Sequence, residues 1–83
     1  MPRQLISNDH LLDILNRELS NHDTCTDCRF TSITLLRGVD ESGCNWSTAN
    51  LRCSGQPAEV CLPAAGRVIN TAKDRYNIRE QGR

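Results

Sequence analysis

Eighty-three residues with ten basic and ten acidic side chains make one domain with a thin core and no net charge. A neutral total argues against strongly electrostatic binding to bulk nucleic acid or to an anionic membrane surface. No apolar run approaches the roughly 18 residues that would span a bilayer.

The charge is nonetheless graded along the chain. Residues 1–28 carry Arg3 and Arg17 against Asp9, Asp13, Glu18, Asp23 and Asp27, while residues 63–83 carry five basic residues against Asp74 and Glu80. The two ends therefore attract weakly, or the last segment offers a basic docking face. Met1 to His10 lacks the apolar stretch of an export signal. With five cysteines, an odd number, the expectation is a reducing, cytoplasmic setting with thiols or metal ligands rather than staples.

In chain order, residues 1–7 are expected to be loose. Asn8 to Ser20 reads as a helix because Leu11, Leu12, Ile14, Leu15 and Leu19 fall on one stripe. Ser7 or Asn8 can cap it, and Asp13 and Arg17 form an i,i+4 pair on its wet side. Arg29 to Val39 and Asn45 to Cys53 read as two strands of a hairpin. Pairing Asp40 with Cys44 leaves a three-residue loop ending at Gly43, where a left-handed residue is wanted and glycine supplies it freely. That register sets Leu35 against Ala49 and Ile33 against Leu51 on an apolar face. It sets Thr34 against Asn50 and Ser32 against Arg52 on a polar one. Trp46 then stands on the polar face, across from Gly38.

Ser54 to Pro57 is a turn by composition. A second helix is expected from Pro63 to Tyr76, with proline in its first turn. Its buried stripe is Ala65, Val68, Ile69, Ala72 and Tyr76. Asn77 would end it in a left-handed conformation, Ile78 would fold back on the core, and 79–83 would be loose. The order predicts an α+β domain spanning 1–83, with two helices on one face of an antiparallel hairpin. A lone hairpin is a marginal sheet, so a third strand near Glu59 to Leu62, or pairing with a second copy in a homodimer, would help it.

The sharpest chemical signal is Cys25-x2-Cys28, with His22 three residues earlier. Such a pair brings two sulfurs to one point and can hold a metal. Cys44 lies at the far end of the hairpin, about 35 Å from Cys28 at the usual strand rise, so it cannot join them. Cys53 returns to the base, opposite Thr31, and Cys61 follows. A structural zinc would draw on Cys25, Cys28, Cys53 and Cys61, with His22 as the alternative fourth ligand. Buried thiols and a disulfide among these residues are the competing states.

Catalysis is not expected. His10 reads as an exposed helix residue, and no nucleophile elbow, phosphate loop or zinc-protease motif occurs. The order helix, strands, helix is similar to that of the double-stranded RNA-binding domain. That family starts its last helix with lysines, where this chain has Pro63-Ala64-Ala65-Gly66-Arg67 with one basic residue. The phosphate-gripping charge is missing, so RNA is an unexpected partner. The expectation is a small intracellular binding or adaptor domain. Trp46, Arg52, Arg67, Lys73 and Arg75 are its candidate contacts with another protein. A metal- or redox-responsive switch and a nucleic-acid-binding regulator are the alternatives.

Overall fold

Ser7 starts the first helix by accepting the His10 backbone N–H at 3.1 Å, which satisfies one of the free donors at a helix start. The structure, a computed structural model, describes residues 3–79. Helix α1 spans Asn8–Leu19 and buries Leu11, Leu15 and Leu19, one side chain per turn as its spacing dictates. The Asp13–Arg17 pair closes at 2.7 Å on the solvent side, where such pairs contribute little.

Strand β1, Gln4–Ile6, precedes α1, so part of the segment expected to be loose is strand; residues 1–2 of it lie outside the described residues. It pairs in parallel with β4, Tyr76–Ile78, setting Gln4 beside Tyr76 and Ile6 beside Ile78. The Arg79 N–H continues the contact to the Ile6 carbonyl at 2.7 Å. Asn77 lies in this strand, and no non-glycine residue among those described has a positive φ, so its expected left-handed cap is replaced by extended chain. Ile78 does return to the core, 4% exposed. Residues 80–83 of the expected loose tail lie outside the described residues.

The hairpin joins β2, Cys28–Leu35, to β3, Trp46–Cys53. Its tip follows the sequence. The Asp40 N–H donates to the Cys44 carbonyl, the Gly43 N–H donates to the Asp40 carbonyl, and Gly43 has φ +93°. Below the tip the ladder does not follow. The Leu36 N–H meets the Asn45 carbonyl, so Arg37, Gly38 and Val39 have no counterparts on the other strand. Further down, Ile33 faces Ala49 and Cys28 faces Cys53. Register shifts at Thr31 and Ser47 interrupt the pairing. A bulge adds a residue to one strand and reverses the side its neighbours take. This is why Trp46 faces inward, 0% exposed, instead of lying on the polar face.

Helix α2 spans Ala58–Arg75, starting five residues before the expected Pro63. The segment Glu59 to Leu62 is therefore helix and not a third strand. Pro63 removes one backbone donor inside the helix, but Pro63 and Glu59, whose carbonyl would have received it, both lie on the exposed side. The inward side carries Cys61, Ala64, Ala65, Val68 and Ala72. Helix α1 packs on β2 and α2 on β3, over Phe30, Trp46 and Ala49. This is the two-layer α+β arrangement, extended by the short parallel pair. No helix among the described residues is long and apolar enough to cross a membrane.

Two disulfides close the hairpin base. Cys25 joins Cys61, and Cys28 joins Cys53. Cys44 stays free and buried near the tip, away from the other four. Disulfides persist in oxidising surroundings, so the expected reducing, cytoplasmic setting is corrected to an oxidising, non-cytoplasmic one. The cysteines expected to hold zinc are the four now paired. A cystine sulfur offers no thiolate to a metal. In this arrangement no group of three or more His, Cys, Asp or Glu among the described residues could hold a metal ion.

Candidate functional site

Two helical strips face each other between α1 and α2. Ile14 and Glu18, one turn apart on α1, continue into His22 just beyond it. Arg67, Thr71 and Arg75 repeat at the same four-residue interval along α2. Together with Leu15, Val68, Ala72 and Tyr76 they line a half-open cleft of about 250 Å³. The floor is apolar and buried at Leu15, Val68 and Ala72. The rim is charged, with Arg67 and Arg75 exposed on one wall and Glu18 exposed on the other. Two guanidinium groups against one carboxylate leave an excess of positive charge over an apolar floor. Arginine suits this place because its planar fork binds carboxylates through two parallel hydrogen bonds.

The remaining expected contacts separate. Trp46 is no surface anchor: its ring lies in the core, and its indole N–H donates to the Tyr76 carbonyl at 3.1 Å, giving the buried polar tip a partner. Arg52 sits directly opposite Arg29 on the outer face of the hairpin. Both line a shallow depression with Asp27, Thr31 and Ser54. Lys73 is committed within the molecule, 3.2 Å from the Asp40 carboxylate and 3.3 Å from the Ser47 carbonyl. His22, the alternative metal ligand, lines the cleft. Glu18 and Ile14 were not singled out by sequence reasoning. Their spacing with His22 matches that of the arginine strip, but only the packing of α1 on α2 makes the two strips walls of one cleft.

The hairpin tip is held by a dense polar network. Asp40 Oδ1 accepts the Ser42 N–H and hydroxyl and the Cys44 N–H, at 2.8 to 3.0 Å. The Cys44 backbone donor and the Ser42 hydroxyl, with Lys73 beside them, hold the Asp40 carboxyl well below the usual carboxylate range. Arg3 reaches across to the Ser42 carbonyl at 2.8 Å and to the Lys73 carbonyl. Asn45 and Asn77 exchange further bonds between the tip and β4. These bonds fix the tip, whereas the cleft sets exposed Arg67 and Arg75 over a buried apolar floor. The chain matches no family model, and no curated protein and no solved structure is similar to it.

Proposed function

We propose that this protein is a small disulfide-stapled binding domain that recognises an acidic segment of another protein. The α1–α2 cleft receives one apolar side chain of that segment, and Arg67 and Arg75 pair with carboxylates beside it. The supporting observation is the cleft itself: a buried apolar floor of Leu15, Val68 and Ala72 beneath two exposed arginines and a single glutamate. The role is binding and not catalysis. Exposed ion pairs each contribute under about 1 kcal/mol, so the partner's apolar side chain supplies most of the affinity and the arginines supply selection by sign.

The test is a titration of the isotopically labelled protein, followed by amide chemical shifts. The probes are a short peptide with leucine between glutamates and its counterpart with lysines. Shifts confined to α1 and α2 with the acidic peptide, weakened about tenfold in Arg67→Glu/Arg75→Glu, a change of about 1.4 kcal/mol, support the reading. Equal response to the basic peptide, or shifts centred on Arg29 and Arg52, would overturn it. A duplex oligonucleotide that binds with a steep salt dependence would move the protein to the nucleic-acid regulator class instead.

A further inference from the structure

The segment looped out between β2 and β3 carries a basic residue. The Leu36 N–H is held by the Asn45 carbonyl and the Asp40 N–H by the Cys44 carbonyl. Arg37, Gly38 and Val39 therefore lie between two pinned points, outside the ladder. All three are exposed, Val39 at 64% and nearby Leu35 at 57%. Beyond its chain neighbours, no atom lies within 4 Å of the place a Gly38 Cβ would take. From Arg17 to Arg75 every other basic residue lies in a helix or a strand. Nearer the ends, Arg3 holds the Ser42 and Lys73 carbonyls, and Arg79 continues the parallel seam. A protease needs extended chain, which a helix or a ladder yields only after local opening. Arg37 already stands outside both.

We propose that the Arg37–Gly38 bond is a processing site for a trypsin-type serine protease, and that the cut protein remains one folded molecule of two chains. Such a protease takes an arginine side chain into an acidic pocket. This goes beyond the peptide-binding reading and does not depend on it. Water completes the reaction. Its oxygen bonds to the Arg37 carbonyl carbon, the amide C–N bond breaks, and a proton passes to the Gly38 nitrogen. The products are a carboxylate on Arg37 and an ammonium on Gly38. The fold spans the cut. Cys25 and Cys28 precede it, and their partners Cys61 and Cys53 follow it. The pairings of β1 with β4 and of β2 with β3 likewise each join one half to the other. The bonds that Asp40 accepts from Ser42 and Cys44 lie wholly beyond the cut, so the tip keeps them.

The experiment is limited digestion of the oxidised full chain with trace trypsin. Intact mass is read without reductant and again after reduction, beside circular dichroism of the product. The first product cut between Arg3 and Arg79 should be heavier by one water and should keep the parent's circular dichroism. On reduction it should separate into residues 1–37 and 38–83. Arg37→Lys should be cut at the same bond. Arg37→Gln should slow the first internal cut by about tenfold or more, because the remaining sites need local opening. No internal cut, a first internal cut elsewhere, or an unchanged rate in Arg37→Gln overturns the proposal. So does a cut product that unfolds, or halves that separate without reductant.

Discussion

Removing the disulfides one at a time and then together tests how they are nested. The chain between Cys28 and Cys53 lies inside the loop closed by Cys25 and Cys61, with sequence separations of 25 and 36. Taken alone, the two crosslinks remove loop-closure entropy worth about 3.5 and 3.8 kcal/mol. They do not act alone. With Cys28–Cys53 in place, Cys25–Cys61 closes only the three residues from Cys25 to Cys28 and the eight from Cys53 to Cys61, worth about 2.8 kcal/mol. The same reasoning gives about 2.5 kcal/mol for Cys28–Cys53 when Cys25–Cys61 is present. Removing both costs about 6 kcal/mol, roughly 1 kcal/mol more than the two single losses together. A domain this size has about 4–12 kcal/mol in all, so the variant without disulfides stands at the edge of unfolding. Alanine at the fully buried Cys25 and Cys61 adds a small cavity term to that pair. The assay is urea unfolding without reductant in the Cys44→Ala background, so that no free thiol enters exchange. Each pair of alanines should lower the midpoint by about 2–3 M at a slope near 1 kcal/mol per molar. Unchanged midpoints, or free thiols at all five cysteines in the unfolded parent protein, would refute the crosslinks. Single losses that add up to the double loss would refute the nesting.

Two further outcomes follow from the polar contacts. Asn16 closes both backbone groups of Phe30, its amide donating to the carbonyl at 3.0 Å and its oxygen accepting the N–H at 2.6 Å. Asn16→Ala should therefore lower stability by about 1–3 kcal/mol in thermal or urea melts, and a loss under about 0.5 kcal/mol, the range of neutral surface changes, contradicts the role. Asp40→Asn should destabilise the protein at neutral pH by removing a charge that Cys44, Ser42 and Lys73 stabilise. The folded-state carboxyl titrates below its ordinary value of 3.8, so its contribution is complete above about pH 4 and is lost as pH falls toward the folded value. The gap between parent and variant melting temperatures should narrow steadily in acid, and a constant gap would contradict the assignment.

What the sequence discloses here is what local chemistry alone decides. Helix α1 is legible because its leucines recur at helical spacing and a serine precedes them. The turn at Asp40 to Cys44 is legible because only glycine takes a left-handed position freely. The ladder beneath it is not. Looping out Arg37 to Val39 and shifting register at Thr31 and Ser47 leave no compositional trace, yet they turn Trp46 inward and bring Cys53 opposite Cys28 instead of Thr31. The start of α2 is masked by Pro63, which signals a first turn but sits on the wet side of a helix already under way. Three-residue strands such as β1 and β4 are too short to show a period, and their partner lies at the far end of the chain. Of the candidate site, Arg67 and Arg75 are visible as charge, but the facing wall of Ile14, Glu18 and His22 becomes a wall only when the two helices pack. The cysteine pairing is not legible because the odd cysteine count and the first ten residues, from which a reducing setting is read, say nothing about how sulfurs meet in space.

The parallel seam between Gln4–Ile6 and Tyr76–Ile78 has a consequence for how the molecule comes to exist. Its partners are 72 positions apart, and such distant pairing forms late because the intervening chain must first be gathered. The folding chain can form α1, the hairpin and both crosslinks before β1 and β4 meet. The first strand then waits, its backbone groups unpaired, until the last one arrives to zip against it. Folding is thus completed by that seam, and a chain truncated before Tyr76 would leave it open, the Trp46 indole without its acceptor, and Asn45 without its anchor on Ile78.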